Sequence, residues 1–120
     1  MTDANQNNHL SYIEIPARDN DNLRQTKDFY HSVFAWHYQD WGNNYSDTKD
    51  SGISSGINAD AANRPQYPLA IIYSTNLEAT RAKVIAGNGK ITRDIFTFPG
   101  GRRFHFQDPA GNELGVWSDK

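Results

Sequence analysis

The 120-residue chain contains no cysteine, one methionine and no apolar run approaching the roughly eighteen residues that a membrane-spanning helix needs. Without cysteine there are no disulfides, no thiolate metal centres and no cysteine nucleophile. A surplus of positive charge is also missing, since 12 basic side chains face 14 acidic ones and the formal net charge is -2. Phosphate backbones held by counterion release are therefore not the expected partner, which argues against nucleic acid. The opening residues MTDANQNNHL offer neither the basic start nor the apolar stretch of a secretory signal, so the expected compartment is the cytoplasm. What is present is enough for a core: 37% of residues are apolar and 12% aromatic, while a mean hydropathy of -0.79 fits one soluble domain and no membrane partner.

Residues 1–9 are almost wholly polar, with three asparagines, and read as a disordered tail before a single domain over 10–120. Residues 10–16 alternate in the manner of a strand, Ile13 and Ile15 on one face and Tyr12 and Glu14 on the other. Asn22, three residues before Gln25, predicts a helix cap, and Leu23, Thr26, Tyr30, Val33 and Phe34 recur at helical spacing. The aromatics Trp36, Tyr38, Trp41 and Tyr45, interrupted by Gly42-Asn43-Asn44, predict a hairpin, and residues 52–58 a further strand. The order then restarts. Residues 69–73 are apolar, Thr75-Asn76-Leu77-Glu78 reads as a capping box, and the helix it opens stops at Gly87 or Gly89. Strands over 90–98, 102–106 and 113–117 follow, separated by Pro99-Gly100-Gly101 and Asp108-Pro109-Ala110-Gly111. The fold class is thus α+β with two βαβββ modules, about 10–58 and about 68–118.

Glu14, a carboxylate between two isoleucines, must either reach water or find a buried partner, and it is a candidate base or ligand acceptor. His105 between Phe104 and Phe106 is a candidate acid or base, with a hydrogen-bonded packing role as its alternative. Arg102 and Arg103 point to opposite faces of a strand, so at most one of them enters a pocket. Trp36 reads as core filler and Trp41, beside a turn, as a possible stacking surface for a planar ligand. His31 falls on the polar side of the first helix, and His9 and His37 flank strands without carboxylates at ligand spacing, so none reads as a metal ligand. Gly100-Gly101 lacks the phosphate-loop pattern and reads as a hairpin turn.

Four stretches together resemble the vicinal oxygen chelate superfamily of glyoxalases, bleomycin-resistance proteins and extradiol dioxygenases. They are Tyr12-Ile13-Glu14-Ile15-Pro16, Phe29-Tyr30 with Val33-Phe34-Ala35-Trp36, Asn76-Leu77-Glu78-Ala79-Thr80, and Phe104-His105-Phe106-Gln107-Asp108-Pro109-Ala110-Gly111-Asn112. The resemblance implies paired modules whose curled mixed sheets surround a small-molecule cavity, commonly with a divalent metal, and frequent homodimers. The positions matching the family's metal ligands hold Tyr12, Leu69 and Gly115, with no ligating side chain among residues 55–57. No metal and no cofactor are therefore expected. The resemblance instead implies a cavity with Glu14 and His105 as catalytic candidates and Tyr12, Trp41, Tyr73, Arg103, Glu113 and Trp117 as ligand-binding candidates. The expected protein binds a small organic molecule, as a homodimer. Its rival is a metal-dependent lyase or isomerase of the glyoxalase I type that recruits Glu14, His105 and Glu113 as replacement ligands or base.

Overall fold

The computed structural model describes residues 5–120. Its elements run β1 (His9–Pro16), α1 (Asn20–Phe34), β2 (His37–Asp40), β3 (Tyr45–Lys49), β4 (Ser55–Asn58), β5 (Leu69–Tyr73), α2 (Leu77–Ala86), β6 (Lys90–Phe98), β7 (Gly101–Gln107) and β8 (Glu113–Ser118). That is βαβββ twice, an α+β fold. The chain divides into two compact units, one covering Tyr12–Leu69 and one in which residues up to Ser11 join Ala70–Lys120.

In the first unit the strand order is β2-β3-β4-β1. β1 runs parallel to β4, with Glu14 opposite Gly56, and the other two pairings are antiparallel. Period-two alternation then sends Ile15 and Ile57 to one face, where they pack with Ala17, Ala59 and the α1 residues Leu23 and Tyr30. The opposite face carries Tyr12, Glu14, Tyr45, Asp47 and Gly56. α1 begins one turn earlier than the Asn22 cap predicts: the Asp19 carboxylate accepts the Asn22 backbone N–H at 2.8 Å, while Asn22 turns its own Oδ1 to the Arg18 N–H. An acidic side chain three residues ahead of a free helical N–H is the stronger acceptor, and it also complements the helix dipole. The helix ends where Ala35 adopts a left-handed φ of 61° and its N–H reaches the His31 carbonyl. The strand expected over 52–58 is shorter, because Asp50 and Gly52 both take positive φ and hold residues 50–53 in a turn.

In the second unit the order is β5-β8-β7-β6, with β5 parallel to β8 and the others antiparallel. Phe104 and Val116 face α2 and pack with Leu77, supported by Ile72, Val84 and Phe106. The cap of α2 is Asn76, accepting from the Ala79 N–H at 3.0 Å, so Thr75 lies outside the helix. Gly87 closes the helix as expected. Part of the predicted tail, residues 1–4, lies outside the described residues. Asn8 donates its N–H to the Tyr73 carbonyl and Asn7 accepts from Thr75, so both are tied to this unit.

Candidate functional site

In each unit one face of the strands packs against the helix and the other carries the polar and aromatic candidates. In the first unit that second face is organised around a glycine. Gly56 stands between Glu14 and Asp47 in the strand register, and a Cβ at Gly56 would lie 2.1 Å from the Tyr12 hydroxyl and 2.6 Å from that of Tyr45. The missing side chain is what lets two phenols lie across the sheet there. Tyr45 Oη is 2.9 Å from Glu14 Oε1, the two phenol oxygens are 2.8 Å apart, and Tyr12 Oη is 2.5 Å from Asp47 Oδ1. The other Asp47 oxygen accepts the Trp41 indole N–H at 2.8 Å. Glu14 is buried, 1% exposed, whereas Trp41 is 58% exposed. Burial pushes the Tyr12 hydroxyl well above the ordinary phenol range, reinforced by Tyr45 and by the hydrogen bond to Asp47. Tyr45 is raised for the same leading reason, followed by the charge of Glu14. Both phenols therefore stay protonated and neutral.

The second unit presents a different surface. Strand register places Arg103 opposite Trp117 and Phe96, His105 opposite Gly115 and Arg93, and Tyr73 opposite Trp117. Arg103 and His105 are buried, 6% and 4% exposed. The Arg103 guanidinium lies 5.3 Å from the Phe96 ring centre and 5.9 Å from that of Phe98, and Arg93 covers Phe96 at 3.7 Å. His105 meets Phe96 edge-on at 5.8 Å, and Trp117 contacts Tyr73 and Phe98 at 5.1 and 6.3 Å. The result is an aromatic wall holding a buried cation. Trp117 is fixed by its N–H to Ser11 Oγ at 2.9 Å. The Tyr73 hydroxyl donates to Asp119 Oδ1 at 2.5 Å, a bond that raises the phenol and holds the carboxyl below its usual range. Glu113 sits at the strand end, accepting from Thr92 at 2.7 Å and lying 3.6 Å from His105 Nδ1. Arg102 takes the other face and pairs with Glu78.

Of the residues predicted from sequence, Glu14, Tyr12 and Trp41 meet in one network, and Tyr73, Arg103, His105, Glu113 and Trp117 share one face of the second unit's strands. Asp47, Gly56, Phe96 and Phe98 were not predicted. Their signal was the same alternation: Tyr45 and Asp47 share a face of β3, and Phe96 and Phe98 share one of β6. Trp36 stacks on Tyr30 at 4.7 Å and is only half-buried. His31 and His37 go to the Trp36 carbonyl and to Asp50.

A family model described as the Glyoxalase/Bleomycin resistance protein/Dioxygenase superfamily matches residues 10–116. The chain belongs to that superfamily. It is similar in fold to a Legionella pneumophila structure described as an NAD-dependent benzaldehyde dehydrogenase, with a TM-score of 0.72 at 10% identity, covering 91% of this chain and 98% of that one. It is similar also to methylmalonyl-CoA epimerase from Mycobacterium tuberculosis, with a TM-score of 0.62 at 12% identity over 98% and 92% of the two chains. A superfamily member from Vibrio splendidus matches at 0.67 and 11% identity over 92% and 98%. No curated protein sequence matches. Among the described residues, the positions that the resemblance assigns to the superfamily's metal ligands do not fit a divalent ion. Leu69 and Gly115 have no side-chain donor atom, the space above Gly56 is filled by phenols, and the Tyr12 hydroxyl is neutral and already bonded to Asp47 and Tyr45. Among the described residues no three His, Asp or Glu side chains converge on one point.

Proposed function

We propose that this protein binds a small organic molecule without a divalent metal, using the aromatic face of the second unit as the recognition surface. The observation that carries this reading is Arg103, a cation buried among the rings of Phe96, Phe98 and Trp117, where aromatic walls and a few polar groups suit a flat ligand with an oxygen acceptor. A guanidinium has five N–H donors in one plane, enough to serve protein acceptors and a ligand oxygen together. Tyr73 and His105 would set the ligand's orientation, and Glu113 would add a polar contact. The same reading has the protein act as a homodimer in the cytoplasm, with no nucleic-acid or membrane partner.

A thermal-shift screen of small aromatic and aliphatic carboxylates in the presence of a chelator tests the proposal. A compound at a hundredfold above its Kd adds about 2.7 kcal/mol of stability. For a domain of this size that raises Tm by roughly 10 °C. Arg103→Met should abolish the shift. If no compound shifts Tm with chelator but several do once zinc, nickel or manganese is added, the metal-free reading fails.

A further inference from the structure

The parallel strands β1 and β4 end side by side in the first unit, and a cavity of about 510 Å³ opens there beside the start of α1. Backbone bonds fix its rim: the Ala17 N–H goes to the Asn58 carbonyl, the Ala59 N–H to the Asn44 carbonyl and the Arg64 N–H to the Asp60 carbonyl, each at 2.8 Å. Arg18 follows β1, Arg64 lies in the loop after β4, and both line the cavity. Among the described residues no oxygen accepts from either guanidinium. The side-chain amides of Asn20 and Asn44, which also line it, likewise make no hydrogen bond among the described residues. The carboxylates there are different. Asp19 accepts the Asn22 N–H, Asp21 pairs with Arg24, and Asp60 accepts from the Ala62 N–H at 3.1 Å and the Asn63 amide at 2.8 Å. The strongest acceptors of the cavity are thus committed to protein donors, while its strongest donors are not.

We propose that this cavity is a second binding site, which takes the oxyanion of a small polar molecule, a phosphate or a carboxylate, on Arg18 and Arg64. A guanidinium presents five N–H donors in one plane and grips an oxyanion through two of them at once. Arg24, Arg81 and Arg102 each already hold a carboxylate, whereas Arg18 and Arg64 share one concavity and hold none among the described residues. Arg64 is half-buried, so water competes less for its donors and each charged hydrogen bond it makes is stronger. Asp19, Asp21 and Asp60 repel an anion, but Arg18, Arg24 and Arg64 offset them charge for charge. The N-terminus of α1 is not the anchor, because Asp19 already caps it. The occupant differs in kind from the flat molecule of the aromatic face. No aromatic ring is among the described residues that line the cavity; Ala59 and Ala61 are its apolar members, and the amides of Asn20 and Asn44 suit hydroxyl groups. A compact, hydroxylated acid fits that composition. The site shares no residue with the aromatic face and stands whether or not that face binds anything.

The test follows the arginine Nε–Hε signals of the whole chain by proton–nitrogen NMR at slightly acidic pH and fixed ionic strength. Sodium phosphate and sodium malonate are added in separate titrations, with sodium chloride as the control. The expected result is a saturable shift at Arg18 and Arg64 with Arg24, Arg81 and Arg102 unmoved; saturation by phosphate alone or by malonate alone supports the site and identifies its oxyanion. Arg18→Gln and Arg64→Gln assign the signals, and each should weaken the apparent Kd read at the remaining arginine by about tenfold or more, the worth of a hydrogen bond to a charged group. Arg64→Lys keeps the charge, loses the planar fork and should recover only part of the affinity. Neither guanidinium bonds to a described residue, so both glutamine variants should fold; if circular dichroism shows that one does not, the other carries the reading. Shifts that never saturate, that match those with chloride or that spread equally to Arg24 and Arg81 would overturn the site, as would a Kd unchanged in both glutamine variants. The signals report from Arg18 and Arg64 themselves, so this outcome and that of the ligand screen fail separately.

Discussion

Gly56→Ala would place a methyl group where two phenols now lie. The added Cβ would stand 2.1 Å from Tyr12 Oη, 2.6 Å from Tyr45 Oη and 2.8 Å from Tyr45 Cε1. To reach ordinary contact at roughly 3.4 Å, the Tyr12 oxygen must retreat by about 1.3 Å, the difference between those distances. It cannot retreat and keep bonds of 2.5 Å to Asp47 and 2.8 Å to Tyr45. A tyrosine has two side-chain torsions, so the whole ring must swing. Overpacking of this kind costs about 1–3 kcal/mol. Each buried hydrogen bond lost adds about 1 kcal/mol. The expected loss is therefore about 2–4 kcal/mol, read from urea unfolding followed by tryptophan fluorescence. Tyr12→Phe in the Gly56→Ala background removes the closest atom, and about 1–2 kcal/mol should return. A Gly56→Ala protein within about 0.5 kcal/mol of wild type would refute the claim that this glycine makes room for the phenol pair.

Asp19→Ala should destabilise the first unit by about 1 kcal/mol through loss of the α1 cap, whereas Asn22→Ala, away from the cap position, should cost less; both are read from thermal melts. Ala35→Gly should stabilise by about 0.5 kcal/mol, because a left-handed residue with a Cβ is strained and glycine's unfolded-state entropy offsets only part of the relief. Phe104→Ala, which empties the centre of the second unit's core, should cost about 3–5 kcal/mol by the same assay. The Asp40 carboxyl is held below its usual range, first by its bond to Lys27 and then by Ser46. Its stabilisation is therefore present above the unfolded-state value near ~4 and is lost as pH falls through the lower folded value. Lys27→Met should flatten that acid-side decline in the urea midpoint.

Most of this architecture was legible because hydrophobic alternation and helical spacing are local signals. Ile13 and Ile15, or Phe104 and Phe106, mark a strand face without knowledge of what lies beside it. Caps were harder to place, since Asp19, Asn22, Thr75 and Asn76 all have suitable side chains and only backbone geometry selects among them. Glu14 stood out as a charge on an apolar strand, and it is buried. Its partner Tyr45 lies 31 residues away in sequence, joined to it through the β1–β4–β3 register, so no short-range pattern could pair them. Gly56 fell inside the strand expected over 52–58, and nothing in the sequence marked it out. Its function as a seat for two phenols exists only across three strands. The aromatic wall was half visible for the same reason, Trp117 and Tyr73 being foreseen and Phe96 and Phe98 brought in by antiparallel pairing with β7.

The most direct test of metal-free recognition is native mass spectrometry of the purified chain after incubation with equimolar zinc, nickel and manganese and removal of loosely held ions. A mass equal to the protein alone is the predicted result. One divalent ion retained per chain would contradict the account, because it would require donors that Tyr12, Leu69 and Gly115 do not provide.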